Sequence, residues 1–229
     1  MKKNKKNYLF SAIFKLLFLV CVLILPALLS SCKQTLDYAA YVSELRANVF
    51  LAEADGFALH VYSVTKESPY ESDGLVREKN QRTEFYLVAP QGNEPCQISF
   101  TANETNHGGE MSYDNVKAEY YFYCPVETAN LSLLSVHVTY GGKTLDFSAK
   151  SVLNADTLSP FEVLTRLQTE EKAFFDGLTD KYGFAAEIRI RLIYEDTPYY
   201  YIGVIDRKGN TTAFLINATS GKILAKRQS

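Results

Sequence analysis

Two-residue alternation of apolar and polar side chains runs through about a hundred residues of this 229-residue sequence, and it limits the possible folds more than any other feature. Successive side chains of a strand point to opposite faces, so such a chain must lay one face on a core and leave the other outside. Phe57, Leu59 and Val61 alternate with Ala58, His60 and Tyr62, and Phe85, Leu87 and Ala89 alternate with Glu84, Tyr86 and Val88. Further runs lie at 96–101, 116–124, 131–140 and 144–149, and a short helix-like stretch from Tyr38 to Arg46 precedes them all. Turn chemistry separates the runs: Ser68-Pro69, Ser72-Asp73-Gly74, Gly92-Asn93, His107-Gly108-Gly109 and Gly141-Gly142. Seven short strands with no helix between them predict an immunoglobulin-like β-sandwich over 38–150. With no Trp in the sequence, the expectation concerns architecture and not kinship with true immunoglobulin domains.

The pattern changes over a linker at 151–158. Ser159-Pro160-Phe161-Glu162 is a capping box with Pro at the first helical position. Phe161, Leu164, Leu167, Phe174, Leu178 and Tyr182 then recur at helical spacing, and Gly183 offers a left-handed C-terminal cap. Ile188, Ile190, Leu192 and Tyr194 alternate with Glu187, Arg189, Arg191 and Ile193, and strand-like runs follow at 199–205, 211–217 and 222–226. One helix on an antiparallel meander predicts a small α+β domain over 159–229. The expected fold is therefore mostly β, in two domains.

The segment from Tyr199 to Leu224, a Tyr-rich strand, polar turn and strand ending in Asn217-Ala218-Thr219-Ser220-Gly221-Lys222-Ile223-Leu224, resembles the PepSY-like family of extracytoplasmic modules. That family favours Asp where Asn217 stands and Thr where Ser220 stands. The resemblance implies a role in inhibiting or regulating envelope peptidases, and it transfers no catalytic residues.

At the other end, Lys2, Lys3, Lys5 and Lys6 precede an apolar run from Leu16 to Leu25 and small residues before Cys32, with no acidic residue in 1–31. This is the layout of a secretory signal peptide, and Lys15 and Pro26 interrupt the longer stretch that a membrane-crossing helix of about 20 residues needs. Leu29-Ser30-Ser31-Cys32 resembles the lipobox of bacterial lipoproteins. The resemblance implies cleavage before Cys32, lipid on its sulfur and palmitate-like chains on the new terminus. Two or three acyl chains meet the requirement for stable anchoring, since each buried methylene contributes roughly 0.8 kcal/mol. Residues 32–37 are then anchor and tether, reaching at most ~18 Å from Lys33 to Asp37. The expected partner is the lipid bilayer at the extracytoplasmic face of the cell membrane, or the outer membrane in a diderm source.

Cleavage also changes the charge. The full sequence carries 24 basic and 26 acidic residues; removing five lysines leaves 24 − 5 = 19 basic residues, or −7. The mature chain is acidic, and its pI near 6.0 even before cleavage argues against a nucleic-acid partner.

Cys96 and Cys124 remain after processing. Cys96 shares an inward face with Ile98 and Phe100, and Cys124 one with Val116, Ala118, Tyr120 and Phe122; an exported setting permits a disulfide between them, the alternative being two free buried thiols. His60, His107 and His137 form no local motif with either Cys. There is no zinc spacing, nucleophile elbow or phosphate-cradling loop, so neither enzyme chemistry nor a cofactor is expected. Glu67, Glu71 and Asp73, with Tyr70 among them, are a weak Ca²⁺ candidate without EF-hand spacing; a solvated turn competes with it. Alternation within Tyr120-Tyr121-Phe122-Tyr123 and Tyr199-Tyr200-Tyr201 puts part of each run outside its sheet. Tyr121, Tyr123, Tyr199 and Tyr201 are thus candidates for a binding surface, with a two-sided buried strand as the alternative. The expected function is a tethered, non-enzymatic binding or regulatory module, with an envelope protein or peptidoglycan as partner. Its rivals are a peptidase inhibitor or processing chaperone acting through the C-terminal segment, and a hydrolase with dispersed residues.

Overall fold

The structure is a computed structural model that describes residues 36–71 and 73–229. The signal peptide, Cys32 and the tether up to Thr35 lie outside the described residues. A 3₁₀ turn at Tyr38–Tyr41, capped by Asp37 Oδ1 accepting from the Ala39 amide, feeds fifteen strands and two helices. The strands are β1 (Val42–Ala54), β2 (Phe57–Glu67), β3 (Lys79–Val88), β4 (Cys96–Ala102), β5 (Thr105–Glu110), β6 (Ser112–Asp114), β7 (Glu119–Cys124), β8 (Leu133–Tyr140) and β9 (Lys143–Ser151). Helices α1 (Pro160–Glu170) and α2 (Lys172–Gly177) come next. They are followed by the short β10 (Thr179–Asp180) and β11 (Gly183–Phe184), then β12 (Ala186–Tyr194), β13 (Pro198–Asp206), β14 (Thr211–Asn217) and β15 (Ile223–Gln228). The chain is mostly β.

Strand β1 organises the fold. One edge pairs antiparallel with β2 along nearly its whole length, through the turn at Asp55-Gly56, where both residues have positive φ as a two-residue hairpin demands. The other edge is shared between two neighbours. Its first half runs parallel to β12, with Glu44 opposite Arg189 and Arg46 opposite Arg191, and Phe50 and Leu51 then meet Ser151 and Lys150 of β9. Register shifts between Val42 and Glu44 and between Arg46 and Asn48 mark where the strand bends. The sheet thus runs β15-β14-β13-β12-β1-β2-β3-β7-β6, with β9, β8, β4 and β5 branching from β1. It continues across the expected 151–158 boundary. Strand β5 comes against β7, where Phe122 sits under Gly109, and the β1–β9 part nearly closes on itself. Its core is Phe50, Leu59, Val61, Phe85, Phe100 and Val136, the inward set that the alternation specifies.

The helices cover one face of β12–β14. Val163, Leu164, Leu167 and Phe175 are buried, as are Ile188, Ile190, Leu192, Tyr200, Ile202 and Phe214. The capping box forms as expected: Ser159 Oγ accepts from the Glu162 amide and Glu162 Oε2 accepts from the Ser159 amide. The single helix expected through Tyr182 instead breaks at Glu171, and Gly183 lies in the β10–β11 hairpin rather than at a helix cap. Tyr182 is 79% exposed, because the turn that carries it has left the helical stripe.

Candidate functional site

The two tyrosine runs come to lie on the same side of this sheet. In β13, Tyr200 enters the core and its hydroxyl donates to the Leu158 carbonyl at 2.9 Å, which turns Tyr199 and Tyr201 to the face opposite the helices. In β7, Tyr120 is buried with its hydroxyl donating to the Glu94 carbonyl, and Phe122 packs against Phe85; Tyr121 and Tyr123 therefore point outward. Cross-strand register fills the space between. Tyr201 is opposite Arg191, Arg191 opposite Arg46, Tyr62 opposite Glu84, Glu84 opposite Tyr123 and Tyr86 opposite Tyr121.

These side chains form one connected layer. The rings of Tyr62 and Tyr86 lie 5.4 Å apart, those of Tyr86 and Tyr121 5.1 Å, and those of Tyr121 and Tyr123 6.0 Å, all tilted. Guanidiniums cap both ends of this ladder: Arg46 Cζ stands 4.0 Å over Tyr62 and Arg82 Cζ 5.2 Å over Tyr123. Such contacts contribute about 0.5–2 kcal/mol each as water is excluded. Arg191 forms a two-pronged pair with Glu44 at 2.8 and 2.6 Å. Glu84, almost fully buried, accepts from Lys66 at 2.7 Å, Arg82 at 2.7 Å and the Tyr86 hydroxyl at 3.1 Å. Burial pushes its carboxyl up, but Lys66 and Arg82 outweigh this and hold it below the usual range. Burial raises Tyr62, with Arg46 opposing, and raises Tyr86 and Tyr121 with Glu84 adding to it. These phenols stay protonated, and that of Tyr86 donates to Glu84.

The layer holds Arg46, Lys66, Arg82, Arg189 and Arg191 against Glu44, Glu84 and the buried Glu187, 3.9 Å from Arg189, with a Lys117–Glu119 pair beside Tyr86. Buried Nε atoms of Arg46 and Arg189 have no partner. The face is therefore basic on a chain that is acidic elsewhere, with donors in surplus. Tyr123 is 53% exposed and Arg191 about a third, so the layer is open to a ligand.

At one margin, Tyr70 donates to Glu187 Oε1, and Arg189 Cζ lies 3.8 Å over the Tyr70 ring. Glu187 is 0% exposed, and its pKa is pushed up to about 7 by burial, then by the charges of Glu67 and Asp73, against the Ser43 hydroxyl and Arg77. Glu67 Oε1 accepts from the Arg77 amide, and Oε2 of each glutamate has no partner. The Ca²⁺ candidate is corrected here. Arg77 takes the outer carboxylates, at 3.0 Å from Glu71 and 2.5 Å from Asp73, while Glu67 turns inward. No group of three metal-ligating acids, His or Cys forms among the described residues.

The disulfide expectation is also corrected. Cys96 and Cys124 are both free. Cys96 is buried 3.6 Å from Met111 Sδ, and Cys124 Sγ sits 3.7 Å from His107 Nδ1 on β5. Cys124 does share the inward face of Tyr120 and Phe122, though Val116 and Ala118 belong to a turn; it lies beside His107 in β5, whereas Cys96 lies beside Met111 just past the far end of that strand, so the two sulfurs do not meet. Burial pushes Cys96 up to about 11 and raises Cys124, which favours the thiol form in both.

Sequence reasoning missed Arg46, Tyr62, Arg82, Glu84, Tyr86 and Glu44. Their only local signal is that each sits opposite an apolar position in an alternating run. Their meeting depends on pairings such as Glu44–Arg191, 147 residues apart. No known protein family, curated protein or solved structure matches this chain.

Proposed function

We propose that this chain is a membrane-tethered extracytoplasmic lipoprotein that acts as a non-enzymatic binding module through its tyrosine–arginine face. One observation carries the reading: both tyrosine runs, together with five cationic side chains, occupy a single outward layer of one sheet. An ordinary solvated face would expose short polar side chains, whereas this one holds rings and guanidiniums in fixed contact. Preorganised aromatic and Arg groups of this kind supply contact area with little ordering cost on binding. The lipobox-like Cys32 supports the tether. The helix on the β12–β15 meander, with Asn217 Oδ1 accepting from the Thr219 and Ser220 amides in the closing turn, supports a PepSY-like reading of 159–229. The sandwich-like 38–150 segment and this module then share β1.

The test has two arms. Cys32→Ala is expected to release the protein from membranes or leave it unprocessed, and normal cleavage with unchanged membrane fractionation would sink the anchor. Immobilised wild-type chain is expected to retain an envelope component that Tyr123→Ala does not. Equal retention by both would remove the face from the function.

A further inference from the structure

The chemistry of this face narrows what it can hold. A peptide captured as an added strand needs a free sheet edge. Here the central strands β12, β1, β2 and β3 are paired on both sides, so only side chains are offered. A folded protein partner is usually gripped through an anchor side chain in a desolvated pocket. Three cavities among the described residues, of about 370–440 Å³, lie elsewhere, lined by α2 with β13 and β14, by 150–154 with 194–198, and by the β4–β6 end.

What the face does present is a run of tilted rings with guanidinium forks between and beyond them. Rings accept the apolar face of another ring lying along the sheet, and protonated phenols donate to hydroxyl or carboxylate oxygens. Guanidinium forks match carboxylates two-pronged, as Arg191 already does with Glu44. The surplus is on the cationic side, with the Arg46 and Arg82 guanidiniums lying over Tyr62 and Tyr123. A ligand that complements all of this is an extended polymer of rings with apolar faces, many hydroxyls and carboxylates at regular intervals.

We infer that the tyrosine–arginine face binds an acidic polysaccharide, a chain of sugar rings bearing carboxylates, laid across β13 to β7. The inference rests on the binding-module reading above and names its ligand class. Sugar rings cover Tyr123, Tyr121 and Tyr201, and their carboxylates meet Arg82, Arg46 and Arg189. The acidic remainder of the mature chain repels the polymer elsewhere and confines it to this layer.

The probe is polygalacturonate, added to the processed, acylated chain in neutral detergent and followed by affinity electrophoresis and calorimetry. Binding is expected, weakening as salt rises, and falling at least tenfold for the same polymer with its carboxylates reduced to alcohols. Tyr123→Ala and Arg82→Gln are expected to weaken binding at least fivefold each. Near-UV circular dichroism confirms that each variant is folded. No binding, or equal binding of the reduced polymer, would overturn the inference. So would equal binding of polyglutamate or anionic vesicles at matched charge, since that requires no sugar ring. If polygalacturonate fails while Tyr123→Ala still loses its envelope component, the ligand class is wrong and the binding-module reading stands.

Discussion

Glu187 is a carboxylate the fold cannot comfortably ionise. It is fully buried, faces Glu67 and Asp73, and is met by neutral hydroxyls only, that of Tyr70 and, opposing the rise, that of Ser43. The charged groups around it are Glu67 on β2, Glu71, Asp73 and Arg77 in the following loop, and Arg189 on its own strand, whose guanidinium is drawn over Tyr70. With a folded pKa of about 7, the native protein keeps this proton over a range where the unfolded chain has released it. Stability contributed here therefore falls as pH rises from about 4.5 to about 7 and is level above that, the reverse of a paired carboxylate such as Glu84. Glu187→Gln keeps an acceptor for Tyr70 and removes the titration. At pH 8 it should stabilise the protein by roughly 2–3 kcal/mol, and at pH 4 by almost nothing. Denaturant midpoints of wild type and variant at the two pH values measure this. A pH-independent difference would show that Glu187 titrates in the folded protein as it does in the unfolded chain.

At the scale of elements, the alternating runs were legible because burial on one side leaves a local, period-2 signature. The inward sets of β4, β8 and β9 follow it residue by residue, as does β2 from Phe57 to Val61. So was the start of α1, where Ser159, Pro160 and Glu162 satisfy backbone groups through neighbours three residues away. Strands β5 and β6 were not legible: Thr105–Glu110 is almost wholly exposed, pairs through its backbone, and carries no apolar period. The break at Glu171 was hidden as well, since Phe174 and Phe175 both look helical in spacing; packing on Phe214 and Phe184 decides their course. The cysteines were half legible: both face inward, as the alternation implies, but their separation along β5, Cys96 beside Met111 and Cys124 beside His107, depends on strand register. The candidate site was half legible. Its tyrosines stand out in the sequence, whereas the arginines and glutamates between them are fixed by pairings across distant strands. The cap offers a direct check. Ser159→Ala leaves the Glu162 amide of α1 without its side-chain partner and should cost about 1 kcal/mol, with Ser159→Thr close to neutral. Thermal unfolding reads this, and an unchanged midpoint for Ser159→Ala would mean that water replaces the cap at no cost.

Over the whole molecule, the face and the cores beneath it depend on β1 being shared. Its first half borders the helix-covered core through β12, and Phe50 in its second half enters the nearly closed core with Leu59 and Phe85. Residues Asp37–Ser229 form one unit, and the Glu44–Arg191 and Arg46–Tyr62 contacts tie the outer layer across the same strand. If β1 frays, both cores lose a wall and the tyrosine ladder loses its cap. Unfolding should therefore be cooperative across the expected domain boundary. Cys96 is a natural reporter, because its thiol is buried in the β1–β9 core and far in sequence from the helices. Leu164→Ala opens a cavity under α1, on the other side of β1, and should cost at least about 2 kcal/mol. In a Cys124→Ser background, labelling of Cys96 under conditions where opening is at equilibrium should then accelerate by about 30-fold, the same factor by which global unfolding becomes easier. Independent halves predict a different result: Leu164→Ala would melt the helical signal early while Cys96 keeps its wild-type protection. That outcome would leave the binding face hinged along β1, with Arg46 and Tyr201 free to move relative to Tyr86 and Tyr121, and a ligand spanning both runs would have to close the hinge as it binds.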